Sequence, residues 1–268
     1  MTDPDSHLQE KIREKLSLYR FGNPLYYFER IGSTNSFASE AARAGGREGT
    51  LVIAERQTEG RGRRGRKWFS PSGSSLSFSF ILRPGLPPRR ESTLSLLPAL
   101  AAAGAIESLT GLKAGIKWPN DIIINRRKAG GILIEGARDN NGDRFLIVGI
   151  GLNVNTTAFP PDLKDTATSL LLERGEATDR ADLLAALILK LERLYYTFLD
   201  KKDYSDILTE YRKRSVTMGE RVRILGNGGE RTARAVEITD RGELIVEDEN
   251  GAREIIRSGE VSLRSAEN

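Results

Sequence analysis

The sequence has 268 residues, with 41 Lys plus Arg against 37 Asp plus Glu, one histidine and no cysteine. A net charge of +4 is too small for a general polyanion binder, and the lack of cysteine excludes disulfides and thiolate chemistry. The lone His7, in a polar N-terminal tail, argues against His-centred catalysis and the usual zinc sites.

A chain of this length accommodates one large core and a small satellite domain. No run of about 18 apolar residues is seen and the N-terminus is polar and acidic, so neither a membrane span nor a signal peptide is expected; the chain reads as cytoplasmic.

Leu8, Ile12, Leu16 and Tyr19 recur at helical spacing and predict a short amphipathic helix over residues 6–19. Tyr26 to Ile31 reads as a strand. Gly32-Ser33-Thr34-Asn35 then opens an alanine-rich helix that stops at Gly45-Gly46. Ser33, Thr34 and Asn35 are ordinary N-cap residues, and the same hydroxyl and amide groups suit a ligand.

Thr50 to Gln57 is an apolar strand, and it runs into residues 57–68, where three glycines and five basic side chains occupy twelve positions. Glycine lets backbone approach a ligand closely, and arginine offers planar forks for carboxylate and phosphate oxygens. The loop therefore predicts a cradle for one or two anions. Gly60, Gly62 and Gly65 have the spacing of the dinucleotide fingerprint, but a loop (Lys67 to Gly73) follows where that motif needs a helix. A basic patch for nucleic acid remains an alternative for this segment alone.

Ser75 to Leu82 alternates Leu76, Phe78, Phe80 and Leu82 with serines and isoleucine and predicts a strand with one buried face. Residues 92–110 predict one apolar core helix closed by Gly111, with Pro98 in its first turn or at a kink. Lys117-Trp118-Pro119-Asn120-Asp121 reads as turn chemistry before two strands, Ile122 to Asn125 and Lys128 to Glu135. Lys117 and Lys128 flank the Asp121 carboxylate, which with Asn120 suits a magnesium ion and nucleotide phosphates. Phe145 to Asn155 is a buried strand whose glycines make sense if a ligand packs on that backbone. Helices are predicted over 180–199 and 203–213, and from about Ser215 five short strands suggest a small barrel.

Taken together and in order, Gly32 to Asn35, Gln57 to Trp68, Lys117 to Asp121, Lys128 to Glu135, Gly149 to Asn155, Ala167-Thr168-Ser169-Leu170 and Gly259 to Glu267 resemble biotin protein ligases. The resemblance spans roughly residues 26–268 and is specific as a set. It implies an α+β fold, a mixed β-sheet flanked by helices as in class II synthetases, followed by an SH3-like barrel. The expected organisation is an N-terminal extension over 1–25, a catalytic domain over 26–213 and the SH3-like domain over 214–268.

The implied reaction joins biotin to Mg-ATP to give biotinyl-AMP, then transfers biotin to a lysine of a biotin carboxyl carrier protein. The resemblance places biotin against Ser33, Thr34, Asn35, Gln57, Gly60, Arg61, Gly62, Arg63, Lys128 and Gly131, with Arg63 and Lys128 catalytic. It places ATP against Arg63, Arg64, Trp68, Lys117, Asn120, Asn153 and Arg264, and the Mg2+ ion at Asp121. Pressing a carboxylate onto an α-phosphate needs fixed cations and no side-chain nucleophile, which fits a chain without cysteine or usable histidine.

Some members of this family carry a DNA-binding helix-turn-helix ahead of the catalytic region. Only about 25 residues stand there in this sequence, so no operator binding is expected. Members commonly form homodimers through sheet edges, and the sequence leaves that open. A lipoate or other acyl-chain ligase is the near rival; a nucleic-acid module leaves residues 117–121 and the glycine-bearing strand unexplained.

Overall fold

The computed structural model describes residues 6–201, 204–226, 229–257 and 262–265. In chain order the elements of the main body are α1 (Ser6–Leu16), β1 (Leu25–Ile31), α2 (Thr34–Arg43), β2 (Leu51–Gln57), β3 (Ser75–Leu82), α3 (Pro88–Leu94) and α4 (Leu97–Thr110). They continue with β4 (Gly115–Lys117), β5 (Asp121–Ile124), β6 (Arg127–Arg138), β7 (Arg144–Asn153), α5 (Leu170–Arg174), α6 (Arg180–Asp200) and α7 (Ser205–Arg214).

Strands β1 to β7 form one sheet in the order β1-β2-β3-β7-β6-β5-β4, with only the β1–β2 pair parallel. Side chains alternate across a strand, so register decides each face. One face presents Leu51, Ile53, Leu76, Phe78, Phe80, Leu146, Val148 and Ile150 to the buried side chains of α1, α4 and α6. The other presents Val52, Ile81, Phe145 and Ile147 to Ala38 and Ala42 of α2. Both faces are covered, as a mixed sheet flanked by helices requires.

Two expectations need correction. All eight residues of β3 are buried, because α2 lies over its serine face and supplies partners for Ser79. The helix expected over 92–110 is two helices that break at Ser95-Leu96. Pro98 sits in the first turn of α4, where a missing N–H costs nothing. Residues 90–110 also have the length and apolarity of a membrane span, but most of the stretch is packed inside the protein and α4 is a core helix.

Strands β8 (Arg221–Gly226), β9 (Gly229–Ile238), β10 (Leu244–Glu247), β11 (Arg253–Ile256) and β12 (Ser262–Ser265) form a five-stranded antiparallel sheet, the SH3-like C-terminal part, in the order β11-β10-β9-β8-β12. Its buried Val222, Ile224, Ala235, Ile238, Leu244 and Val246 merge with the main core into one apolar cluster. Arg212 Nε donates to Ile238 O at 3.0 Å, Thr93 Oγ1 to Asp240 O at 3.2 Å and Trp118 Nε1 to Gly242 O at 2.9 Å. The small sheet is therefore fastened to the body beside residues 117–121.

Candidate active site

The α2-facing side of the sheet changes character toward one end. Register places Ala54, Ser77, Gly151 and Gly131 in one row across β2, β3, β7 and β6, and Ser79 opposite Gly149 in the next. This row of small residues makes a flat floor. A Cβ on Gly149 would overlap the Asn35 amide and one on Gly151 would overlap the Trp68 indole, so these glycines are required by close approach. Gly151→Ala is expected to lift Trp68 from the floor, red-shift its fluorescence and cost roughly 1–3 kcal/mol in chemical denaturation. An unchanged spectrum and denaturation midpoint would contradict that.

Along this floor runs a polar network of hydroxyl and amide groups that ends on the Glu135 carboxylate. Ser33 caps α2, its Oγ accepting from Ser36 N–H. Thr34 donates its N–H and hydroxyl to Gln57 Oε1 at 2.8 and 3.0 Å. Ser79 Oγ stands 2.7 Å from Thr34 Oγ1 and 2.6 Å from Asn35 Oδ1, and Asn35 Nδ2 donates to Glu135 Oε2 at 2.6 Å. Thr34, Asn35 and Ser79 are buried, so these groups are held by one another in fixed orientations.

The glycine-arginine loop folds over one end as a small hairpin. Gly62 N–H donates to Arg66 O at 2.7 Å and Trp68 N–H to Gly60 O at 2.9 Å, while Arg64 adopts φ +59° at the tip. Arg61 reaches back to Ser36 Oγ at 2.9 Å, and Arg63 Nη1 donates to Asn120 Oδ1 at 3.1 Å. Arg63 Nη2 is buried and makes no hydrogen bond. Burial lowers the Arg63 pKa, Asp121 opposes that, and Arg64 and Arg66 lower it further; the net shift is downward. A guanidinium in this condition gains from an anion.

Lys128, on β6, donates to Asp121 Oδ1 at 2.6 Å and stands 5.8 Å from the centroid of the Trp68 ring. Gly131 keeps the space beside it open, since a Cβ there would come within 3.2 Å of Lys128 Nζ. Asn120 is fixed through Nδ2 to Ile132 O at 2.6 Å, and Lys117 pairs with Asp121 across β4 and β5. Tyr211 donates to Pro119 O at 3.0 Å from the other side. Burial first, then Asp121, pushes the Tyr211 phenol well above its ordinary pKa, so it remains a hydroxyl donor.

The expected residues thus fall into two connected groups. Thr34, Asn35 and Gln57 belong to the polar network, with Ser33 capping α2 beside it and Arg61 reaching the same helix at Ser36; Gly60, Gly62, Arg63, Trp68, Asn120, Asp121, Lys128 and Gly131 form the cationic end. Asn153 lies buried at the end of β7 and donates through Nδ2 to Thr168 O at 2.9 Å, with its Oδ1 unpartnered. Arg64 points elsewhere, donating to Leu225 O of β8 at 2.8 Å. Arg264 lies on β12 opposite Arg223, its side chain and residues 259–261, 266 and 267 lying outside the described part. Ser79 and Glu135 complete the network without having been singled out in the sequence; the alternating serines of β3 were the available signal.

A flat floor, a donor-acceptor end of hydroxyl and amide groups and two cationic groups at the opposite end suit a substrate with an uncharged polar ring and a carboxylate, met by a second anion. Residues 27–155 match the Biotin/lipoate A/B protein ligase family, and residues 217–264 match the Biotin protein ligase C terminal domain. The bifunctional ligase/repressor BirA of Bacillus spizizenii is 37% identical over 94% of this chain and 78% of its own length. The biotin–[acetyl-CoA-carboxylase] ligase of Mycobacterium tuberculosis is 34% identical over 87% of this chain and 86% of its own. Among solved structures, the Aquifex aeolicus biotin protein ligase in complex with biotin and ATP superposes with a TM-score of 0.79 at 33% identity, covering 90% of this chain and 99% of that one. The chain belongs to the biotin protein ligase family.

Proposed function

We propose that this chain is an ATP-dependent biotin ligase that activates biotin as biotinyl-AMP and transfers it to a lysine of a biotin carboxyl carrier protein. The observation that carries this reading is the convergence of Lys128 and the partnerless Arg63 Nη2 at one end of a floor whose other end is a hydrogen-bonding network of hydroxyl and amide groups. In this reading Thr34, Asn35 and Gln57 meet the ureido ring, whose N–H and C=O groups need both acceptors and donors in fixed positions. Gly131 leaves room for the bicyclic body, and the Asn35 amide and Trp68 indole seated on Gly149 and Gly151 wall it in.

The carboxylate of biotin is then delivered to Lys128 and Arg63. Attack of a carboxylate oxygen on the α-phosphorus of ATP forms the acyl phosphate bond and expels pyrophosphate. Negative charge builds on the α-phosphoryl oxygens during that step, and fixed cations lower its barrier most when water is excluded. Arg61, Gly62 and Arg63 close over the anhydride. In the second step the carrier lysine attacks the acyl carbon and AMP leaves.

Among the described residues no group of three or more His, Cys, Asp and Glu side chains stands ready to hold a metal. A single carboxylate, Asp121, fits the habit of magnesium to keep most of its waters and arrive on the phosphates of ATP. There it would neutralise phosphate charge. Trp68, Lys117, Asn120 and Asn153 belong to the nucleotide side of this reading, with Arg64 of the loop resting on Leu225 O of the C-terminal sheet and Arg264 on β12 of that sheet. The outer edge of β6 from Leu133 to Arg138 has no strand partner among the described residues. An open edge beside the site suits strand addition by a carrier domain or a second copy of the chain. A cytoplasmic setting is consistent with the cysteine-free sequence.

Pyrophosphate release with ATP plus biotin, plus lipoate, or with neither tests the proposal. Release that requires biotin is expected; release with lipoate alone, or with no biotin dependence, would overturn it.

A further inference from the structure

The segment Ala167-Thr168-Ser169-Leu170 matches the family pattern yet has no part in the chemistry above. Its backbone lies along Lys128. Lys128 N–H donates to Thr166 O at 2.8 Å and Thr168 N–H donates to Lys128 O at 2.9 Å. Strand β7 pairs with β6 only from Gly130 onward, so at Lys128 this segment stands where β7 would continue. On the other side Ile122 faces Gly130 and Ile123 faces Lys128, which leaves Ala129 as an extra residue in β6. Bulges of this kind re-aim side chains, and they need outside support to hold one geometry.

The support comes from Glu173 of α5. Its carboxylate is 4% exposed. Oε1 receives Arg127 Nη2 at 2.6 Å and the Thr168 hydroxyl, and Oε2 receives Asn125 Nδ2 at 2.6 Å. Arg127 is the residue before Lys128, and Thr168 holds the Lys128 carbonyl, so one carboxylate ties both sides of the Lys128 backbone. Asn125 and Arg126 both lie at positive φ, 46° and 65°, and the bond to Asn125 anchors that tight turn as well. Burial raises the Glu173 pKa, but the hydrogen bonds from Thr168 and Asn125 and the charge of Arg127 outweigh it, and the group stays ionised.

We propose that Glu173 is a positioning residue for the ligase reaction: it clamps Arg127 and Thr168 about Lys128 and thereby sets where the Lys128 ammonium stands over the pocket floor. This rests on the role given to Lys128 above. Glu173→Gln keeps the side-chain shape but turns an amide donor toward Arg127 or Asn125. The variant should lose about 10- to 100-fold in kcat for biotin-dependent pyrophosphate release, the scale of a displacement near 1 Å at a reacting centre, with KM for biotin and ATP nearly unchanged. Hydrogen exchange at the Lys128 and Thr168 amides should speed up while amides in β3 and β7 stay protected.

Arg127→Met, which removes one clamp contact and leaves Glu173 in place, should move both readouts the same way and covers the case in which Glu173→Gln does not fold. Faster exchange with unchanged kcat, or lower kcat with unchanged exchange at those two amides, overturns the proposal. If Lys128→Met keeps wild-type turnover, the error lies in the role of Lys128, and the exchange measurement still decides the clamp.

Discussion

Lys128→Met is expected to lower kcat for biotin-dependent pyrophosphate release by about 10²- to 10³-fold, the usual cost of removing one preorganised donor from developing charge. Stability should change little. The Lys128–Asp121 pair is partly exposed on both sides, 36% and 26%, so solvent screens it and its loss is worth roughly 0–1 kcal/mol. The two effects separate cleanly in parallel assays of turnover and urea denaturation. Lys128→Arg should not restore full activity, because a planar fork replaces a compact ammonium in a space bounded by Gly131 and Trp68. Since the charge acts on an anion that gathers more charge as the reaction proceeds, the loss should fall on kcat more than on KM for biotin. A methionine variant within about twofold of wild type would remove Lys128 from the chemistry.

Much of the fold was legible because its signals are local. The alternation of β3, the Leu periodicity of α6 and the five short strands after Ser215 each follow from a pattern within about ten residues. The loop at 57–68 was legible for the same reason, since its composition departs from any ordinary turn. What stayed hidden depends on contacts between distant residues. The alternating serines of Ser75 to Leu82 mark a polar face but do not say that α2 covers it, because Ser79 meets Thr34 and Asn35 from more than forty positions away. The break between α3 and α4 was hidden differently, since Pro98 fits either a first turn or a kink until neighbouring packing decides. Trp118 looked like part of a turn, although it is among the largest fully buried side chains of the protein.

Trp118→Ala should be the most destabilising change in the site region, by about 3–5 kcal/mol, the usual cost of emptying a large aromatic position in a core. The indole is 2% exposed and joins the main body to the C-terminal sheet through Nε1 to Gly242 O at 2.9 Å. Its backbone N–H is taken by Thr217 Oγ1 at 2.8 Å, so the residue is held from the same side twice. Trp118→Phe keeps most of the apolar volume and removes only the indole donor, leaving a buried carbonyl without its partner; about 1–3 kcal/mol is expected. Because Asn120 and Asp121 follow one residue on, past Pro119, and Asn120 accepts from Arg63 at 3.1 Å, a shift of this strut should also raise KM for ATP in whichever variant remains folded. Urea denaturation of the two variants with and without biotin and ATP measures both effects, since bound ligands restore stability in proportion to how well the site is still formed. If Trp118→Ala costs under about 1 kcal/mol, the small sheet is not held to the body through this side chain and the coupling between strut and nucleotide site fails with it.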